Sequence, residues 1–287
     1  MAVSGILLLD KQSDWTSQDC VAKLRGILGE KRIGHAGTLD PLATGLLVIL
    51  VGRATRAASY AEVEEKEYLA SFRPGIVTDT QDITGNLLSR SDVLPTEAEV
   101  RSMLPRFTGE QLQLPPMYSA VKVNGKKLYE IARRGGEVKR EKRPITIYSI
   151  AYMGMDGDDH LLRIRCSKGT YIRTLCHDLG QALGCGGCMS ALRRTAVGDF
   201  RVEDAVPIGR VTREYRERLL HVDTLFSRFP AVTLTPGQER RCRCGNDFPL
   251  SSEDGMCRLY GADGAFLALA QVDAGRCRTV KSFFEVD

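Results

Sequence analysis

The segment GHAGTLDPLATG, residues 34–45, leads directly into the apolar run LLVILV at residues 46–51. Its glycines and Pro41 predict a loop from His35 to Gly45, and the apolar run between turn residues predicts a buried strand. Asp40 lies in the middle of this loop. It can form a structured turn by accepting hydrogen bonds from nearby backbone N–H groups, or it can serve as a catalytic carboxylate.

The sequence on either side of this segment alternates between strand and helix patterns. Residues 6–9 are typical of a short buried strand, and Thr16 or Ser17 can cap a helix that Gly29 closes. Other strands are predicted at 67–73, 143–153 and 161–167, and other helices at 96–104, 170–183 and 212–226. Strands predominate and no internal repeat occurs. The sequence therefore predicts a mixed α+β fold in which helices flank a β-sheet core.

A domain boundary is predicted near Phe229 and Pro230. The chain after it consists of short apolar runs separated by glycines, which is typical of a small β-sheet or barrel. This part carries seven basic and eight acidic residues, so it is nearly neutral. The sequence therefore predicts a larger domain over residues 1–229 and a small β domain over residues 230–287.

The composition is that of an ordinary globular protein. Of 287 residues, 43% are hydrophobic and 26% are charged, which excludes wholesale disorder. The apolar run at residues 46–51 is far shorter than the roughly 20 residues that span a bilayer. The apolar residues before Asp10 are too few for the core of a signal peptide. A soluble, cytoplasmic protein with no membrane partner is therefore expected.

Nine cysteines are scattered along the chain, and without a secretory signal they argue against a disulfide framework. Cys185 and Cys188 have a zinc-like spacing, but Cys242 and Cys244 form a CxC pair far away in the sequence. Reduced, partly buried thiols are therefore expected in preference to a zinc site. No metal and no cofactor are expected.

Positive charge concentrates in residues 122–143, which hold nine lysines and arginines against three glutamates. A local field of this kind attracts polyanions such as nucleic acid. The other interpretation of such a run is the solvated face of a helix.

Missing motifs argue against several common classes of enzyme. The sequence contains neither GxGxxG nor GxxxxGK[ST], so neither a dinucleotide site nor a phosphate-binding loop is indicated. It also lacks the HExxH motif of zinc proteases and the GxSxG motif of serine hydrolases. The loop around Asp40 remains as the candidate site.

This loop closely resembles the catalytic motif of the TruB family of tRNA pseudouridine synthases, which follows the pattern G-H-x-G-x-L-D-P-x-A-x-G. Other motifs resemble that family in the same order: GILLLDK and WTS within 5–17, KEY and TDTQD within 66–82, PPMYSAVK and GKKLY within 115–129, and CSKGTYIRT and LRR within 166–194. The similarity covers about residues 5–200. Gln12 replaces a usual proline and Cys188 a common histidine, and both departures concern local packing.

The resemblance implies the pseudouridine-synthase fold, with an RNA-gripping insertion at about 122–143 and a PUA-like C-terminal domain. It also implies the activity, which is the isomerisation of uridine 55 in the T arm of tRNA to pseudouridine after base flipping. The T-arm stem-loop of tRNA is the one partner that it implies. A monomer without an obligate protein partner is expected.

The resemblance also implies the roles of individual residues. Asp40 is the implied catalytic carboxylate, acting as a nucleophile at C1′ or C6 or as a base at C2′, and Arg173 is expected to hold its pKa down. Tyr68 is implied to stack on the flipped base and to handle the C5 proton. The other implied substrate-binding residues are His35, Tyr171 and Leu192 at the base, and Lys168, Lys126, Lys127, Arg133 and Arg134 at phosphates.

Each of these residues has an ordinary structural interpretation when it is considered alone. Arg173 can form a salt bridge without a catalytic role, and Tyr68 on a strand can belong to the core. Two other functions stay open: a non-catalytic RNA-binding protein or tRNA-folding chaperone, and a guide-RNA-dependent synthase of the same superfamily. The set of Asp40, Tyr68 and Arg173 argues against the first function, and the basic insertion argues against the second.

Overall fold

A computed structural model describes residues 3–60, 65–123, 125–132 and 134–284. It confirms the mixed α+β class, with a large mixed sheet, flanking helices and a C-terminal β domain. The strands are β1 (Gly5–Lys11), β2 (Ile33–Ala36), β3 (Thr44–Val51), β4 (Glu65–Pro74), β5 (Ile76–Thr78), β6 (Leu87–Arg90), β7 (Gly109–Gln113), β8 (Lys122–Val123), β9 (Lys126–Lys127), β10 (Arg143–Asp156), β11 (Asp159–Ser167), β12 (Gly187–Val197), β13 (Phe200–Arg201), β14 (Val206–Pro207), β15 (Ala231–Thr233), β16 (Phe248–Pro249), β17 (Gly255–Tyr260), β18 (Phe266–Asp273) and β19 (Arg276–Ser282). The helices are α1 (Ser17–Leu28), α2 (Glu97–Met103), α3 (Leu128–Ala132), α4 (Ile172–Ala182) and α5 (Pro236–Arg243).

The large sheet has ten strands, and its main order is β14-β1-β3-β12-β4-β11-β10-β7. β12 is parallel to β3 but antiparallel to β4, which makes the sheet mixed. Seven of the eight residues of β3 are buried, as its apolar run predicts. Only glycine fits at Gly45 on this strand, because a Cβ there would lie 2.3 Å from the carbonyl oxygen of Arg194 on β12.

Helices α1 and α4 pack against the sheet and help to form one core with the buried side chains of β4 and β12. Thr16 caps α1 in a capping box with Asp19. Gly29 ends the helix with φ +59°, a left-handed conformation that glycine adopts without strain. These features confirm the cap and the stop that the sequence predicts for α1.

The predicted loop from His35 to Gly45 is shorter in the structure. His35 and Ala36 belong to β2, which is antiparallel to β3 and places Ala36 opposite Val48. Thr44 and Gly45 already belong to β3. Strand pairing with an apolar neighbour therefore overrides the glycine-rich local sequence at both ends of the loop.

The predicted helix over residues 212–226 is wrong. Two short 3-10 helices, Arg213–Glu217 and Val222–Phe226, occupy this part of the chain instead. Leu220 between them exchanges two backbone hydrogen bonds with Ile6 of β1. A continuous helix would have to give up this pairing, because its own backbone groups would bond within the helix.

A second sheet has the order β15-β17-β18-β19-β16 and its own apolar core. A separate apolar cluster, which includes Ala57, Phe226, Leu269 and Phe283, joins this sheet to the preceding chain. Because the second sheet has its own apolar core, we propose that the domain boundary lies near residue 230.

The basic segment at 122–143 is not a single helix face. β8 and β9 form a short hairpin, α3 follows it, and the described residues after α3 have no regular structure until β10 begins. Arg140 donates a hydrogen bond to the carbonyl oxygen of Pro115 at 3.0 Å. The backbone N–H of Tyr129 donates to the carbonyl oxygen of Ser119, also at 3.0 Å. The segment is thus anchored to the chain at 115–119.

All nine cysteines are free thiols, and most of them are buried. Cys188 lies in β12 of the large sheet, whereas Cys242 lies in α5 beside the second sheet. Across the described residues, no three or more His, Cys, Asp or Glu side chains are grouped so that they could hold a metal ion. No helix in the described part of the chain has both the length and the hydropathy of a membrane span.

Candidate active site

Asp40 lies on a loop that neighbouring parts of the chain hold in place. A backbone hydrogen bond closes the turn that begins at Asp40, with Pro41 at the position that favours proline. The Ser17 hydroxyl at the start of α1 accepts from the N–H of Leu39 at 2.9 Å and donates to its carbonyl oxygen at 3.2 Å. Lys11, at the end of β1, donates to the carbonyl oxygen of Pro41 at 3.1 Å. The backbone is therefore fixed on both sides of the carboxylate.

Arg173 on α4 joins this loop to two other segments. Its Nε lies 2.9 Å from Oδ2 of Asp40, and its Nη2 donates to Oδ1 at 3.3 Å. Nη1 donates to the carbonyl oxygen of Thr80 at 3.0 Å and lies 3.3 Å from Oδ2 of Asp82. Nη2 also donates to the carbonyl oxygen of Tyr118 at 2.8 Å. Because the guanidinium is planar, these contacts fix the direction in which the Asp40 carboxylate points.

Asp82 is a second carboxylate in this network. It ends the TDTQD motif, but no role in the site was assigned to it from the sequence. Its side chain is only 8% exposed. Its Oδ1 accepts hydrogen bonds at 3.0 Å from the Thr80 hydroxyl and from the backbone N–H of Thr84. Gln81 before it has φ +65°, a conformation that residues with side chains rarely adopt. Its place at the end of the TDTQD motif was the available signal.

The pKa of Asp40 lies above the ordinary value for aspartate. Burial raises it, Arg173 lowers it, and the nearby Asp82 carboxylate raises it again. Arg173 lowers this pKa as expected, but desolvation outweighs the ion pair, so the net direction is upward. The ionised form of Asp40 is consequently lost at a higher pH than the ionised form of an exposed aspartate.

Tyr68 and Leu192 form an apolar wall beside this loop. Tyr68 on β4 lies directly opposite Arg194 on β12, and both side chains are buried on one face of the sheet. Burial raises the pKa of Tyr68, and Arg194 opposes that rise. Asp40 also acts electrostatically on Tyr68, so the phenol lies within range of the carboxylate. Leu192 is buried opposite Ala70 of β4.

Tyr171 precedes α4 and is held by a residue that the sequence patterns missed. The backbone N–H of Tyr171 donates to Oε1 of the buried Gln113 at 2.8 Å, and Nε2 of Gln113 donates to the Tyr171 carbonyl oxygen at 3.0 Å. Asp40 and Arg173 both act electrostatically on Tyr171, which brings this residue to the same site. Gln113 therefore fixes the start of the helix that carries Arg173.

His35 lies on β2, five residues before Asp40, and is half-buried. Burial lowers its pKa, and the neighbouring Arg194 lowers it further. The imidazole is therefore neutral near pH 7. Its Nδ1 is buried and has no hydrogen-bond partner among the described residues.

The predicted phosphate ligands lie in other segments. Lys168 is exposed and borders a cavity of 570 Å³ between β7, β10 and the end of β11. Lys126 and Arg134 are exposed in the basic segment. Lys127 belongs to β9 and the position of its side chain is not described, while Arg133 lies outside the described residues.

The site thus combines an oriented carboxylate with an aromatic and an aliphatic side chain. A carboxylate held in this way can attack an electrophilic carbon or remove a proton. A neighbouring aromatic ring can stack on an extruded nucleobase. The arrangement fits chemistry on a base that has been flipped out of a nucleic acid.

Comparisons of the sequence identify relatives over most of its length. A family model described as "TruB family pseudouridylate synthase (N terminal domain)" matches residues 25–172, and one described as "tRNA pseudouridylate synthase B C-terminal domain" matches residues 173–225. A protein of Opitutus terrae named tRNA pseudouridine synthase B is 48% identical over 225 residues, which cover 77% of this chain and 93% of that protein. A protein of the same name from Burkholderia mallei is 42% identical over 286 residues, which cover 96% and 95% of the two chains.

Solved structures share the fold. A chain from the crystal structure of a Cbf5-Nop10-Gar1 complex matches with a TM-score of 0.73 and 25% identity, over 98% of this chain and 84% of that one. A chain from an H/ACA RNP bound to a substrate RNA containing 2'-deoxyuridine matches with a TM-score of 0.72 and 22% identity, over 98% and 85%. With the family model across residues 25–172 and relatives at 42–48% identity, this chain belongs to the TruB family of pseudouridylate synthases.

Proposed function

We propose that this enzyme isomerises uridine to pseudouridine at position 55 in the T arm of tRNA. The observation that carries the proposal is the contact of 2.9 Å between Arg173 and Asp40, on the loop with the catalytic motif of the family and beside Tyr68. The relatives named tRNA pseudouridine synthase B support tRNA as the substrate.

The reaction breaks the N1–C1′ bond of uridine, turns the base and forms a C5–C1′ bond. C5 loses its proton and N1 gains one, so the reaction exchanges no electrons with another molecule. A carboxylate must act on the sugar or on the base. Asp40 has this role, either as a nucleophile at C1′ or C6 or as a base at C2′, and Arg173 keeps it aimed at the reacting carbon.

The target base must first leave its stack in the T loop, which costs a few kcal/mol. Tyr68 recovers part of this cost by stacking on the extruded uracil, and its hydroxyl handles the C5 proton. Leu192 and Tyr171 line the pocket around the base. His35, neutral and on β2 just before the same loop, fills the gap that the base leaves in the RNA.

The basic insertion and Lys168 grip the RNA backbone outside the pocket. Their positive charges bind phosphates, which position the RNA without reading its sequence. The anchoring of the insertion to the chain at 115–119 supports this role, because Arg140 of the insertion donates a hydrogen bond to the carbonyl oxygen of Pro115. Tyr118, three residues further on, presents its own carbonyl oxygen to Arg173. The grip and the catalytic network thus share one short segment.

Two competing functions are less well supported. A guide-RNA-dependent synthase has the structural neighbours in its favour, but these are 22–25% identical, whereas the relatives named for tRNA are 42–48% identical. A non-catalytic chaperone would not need Asp40 ion-paired to a buried arginine beside a buried tyrosine. The stand-alone enzyme therefore accounts for more of the site.

Release of tritium from RNA labelled at C5 of uridine tests the proposal, because this proton leaves only when the base is isomerised. We expect release from whole tRNA and from a bare T-arm stem-loop, and none when uridine 55 is replaced by cytidine. Release that requires an added guide RNA would support the guide-dependent function. Tight binding without any release would support the chaperone.

Removing the charges of the insertion should weaken tRNA binding and flatten its salt dependence. Each neutralised phosphate contributes about 0.7–0.9 to the slope of log K against log salt. Replacing Lys126, Lys127, Arg133 and Arg134 with alanine is expected to reduce this slope by roughly two to four units. Turnover at saturating RNA should change less, since these side chains do not touch the reacting uridine.

Binding titrations at several salt concentrations measure the slope. Deletion of residues 231–287 is the control, and it should weaken binding less because that part of the chain carries seven basic and eight acidic residues. An unchanged slope in the quadruple variant would mean that other residues of the protein bind the tRNA phosphates.

A further inference from the structure

Arg194 is among the largest side chains that the fold buries completely, with 1% of its surface exposed. Its Nε donates to the carbonyl oxygen of Leu46 at 2.7 Å, and its Nη2 donates to the carbonyl oxygen of Gly37 at 3.1 Å. Gly37 lies three residues before Asp40 in the catalytic loop. Arg194 therefore ties β12 both to β3 and to the loop that carries the carboxylate.

Across the sheet from this guanidinium lies the Tyr68 side chain. Strand pairing places Arg194 and Tyr68 directly opposite each other on β12 and β4, and both side chains are buried on the same face of the sheet, which brings the guanidinium within reach of the phenol. No carboxylate among the described residues forms an ion pair with Arg194. His35 and Lys11 lie within electrostatic range but do not offer a negative charge at neutral pH.

A buried guanidinium without a carboxylate partner is unfavourable unless its N–H groups are satisfied. It can only donate hydrogen bonds, so the Tyr68 oxygen must accept. The phenol hydrogen must then point away from Arg194. Because the O–H bond of a phenol prefers the plane of the ring, this restricts the direction of the hydroxyl hydrogen.

We propose that Arg194 is a positioning residue for the isomerisation, which it serves by holding the Tyr68 hydroxyl oxygen so that the phenol faces the target uracil. The inference rests on the proposed function, because it concerns the residue that meets the flipped base. It gives the second arginine of the LRR motif a role that differs from that of Arg173. Arg173 orients the carboxylate, whereas Arg194 orients the phenol and binds the Asp40 loop at Gly37.

A double-mutant cycle with Arg194→Lys and Tyr68→Phe tests this inference. Lysine keeps the charge but cannot reach three acceptors with one planar group. Arg194→Lys alone is expected to lower the single-turnover rate on saturating tRNA about 10- to 100-fold, as misplacement of a reacting group does. In the Tyr68→Phe background the same change should cost less than about twofold, because the hydroxyl that Arg194 holds is already gone. The dissociation constant for tRNA should stay within about twofold in all variants.

The neighbouring Arg193→Lys is the matched control. Arg193 lies on the same strand, but its guanidinium forms a two-point ion pair with Asp10 at 3.0 and 2.8 Å and is partly exposed. This change should leave the rate unaltered in both backgrounds. Should Arg194→Lys fail to fold, Arg194→Gln, which keeps an N–H donor, takes its place in the cycle.

A second measurement is used if the Tyr68→Phe variant reacts too slowly to assay. With 3-fluorotyrosine at position 68, the fluorine resonance reports ionisation of the hydroxyl, and Arg194→Lys should move its midpoint upward whereas Arg193→Lys should not. Equal rate losses from Arg194→Lys in both backgrounds, or an unmoved fluorine titration, would overturn the inference. If the unaltered enzyme released no tritium from tRNA, the proposed function itself would fail, and the fluorine titration would still decide whether Arg194 holds Tyr68.

Discussion

Asp40→Asn is expected to lower turnover of tRNA by at least about 100-fold, the lower end of what one positioned acid–base group contributes. The amide has nearly the size of the carboxylate, but it is neither a nucleophile nor a base at neutral pH. Affinity for tRNA should stay within a few-fold, because the proposed phosphate contacts lie in other segments. Single-turnover tritium release and a binding titration measure the two quantities separately.

Asp10→Asn is the matched control for this change. Asp10 is also ion-paired to an arginine, Arg193, but the pair is partly exposed and includes neither Asp40 nor Arg173. Its loss should cost at most about 1 kcal/mol of stability and leave turnover near that of the unaltered enzyme. Residual turnover above about 1% in Asp40→Asn would mean that another group performs the chemistry. A loss of tRNA binding in that variant would mark Asp40 as structural.

Local sequence patterns were sufficient for the elements that carry this site. The capping box at Thr16 and the glycine at position 29 define α1 because both act within a few residues. The apolar run of β3 requires burial on both faces, and seven of its eight residues are buried. Patterns of this kind depend only on neighbouring residues, so contacts with distant parts of the chain do not change them.

Long-range contacts could not be predicted in the same way. The contact of Arg173 with Asp40 joins residues 133 positions apart, and its contact with Asp82 spans 91 positions. The first was expected because the family resemblance implied it, whereas the TDTQD motif was noted without a role for Asp82. The failure at residues 212–226 has the same cause, since the backbone of Leu220 pairs with that of Ile6 across the whole domain. The net direction of the Asp40 pKa depends on burial, which no local pattern reveals.

Arg173→Met is expected to remove both stability and turnover. The side chain is 5% exposed, and its loss leaves the buried Asp82 and the nearby Asp40 without the guanidinium that contacts both carboxylates. Removing one partner of a buried ion pair typically costs about 3–5 kcal/mol. Because Arg173 also lowers the pKa of Asp40, the variant should hold less of the ionised carboxylate at neutral pH. Turnover should fall about as far as in Asp40→Asn.

A double variant separates these two losses. Asp82→Asn in the Arg173→Met background removes the uncompensated buried charge, so it should recover part of the free energy of unfolding measured with urea. It should not recover turnover, because Asp40 would still lack the guanidinium that we propose aims it at the reacting carbon. If turnover returned together with stability, Arg173 would serve only to hold the chain at Thr80 and Tyr118 near α4. Orientation of the carboxylate would then have to come from the loop backbone and from Ser17 and Lys11.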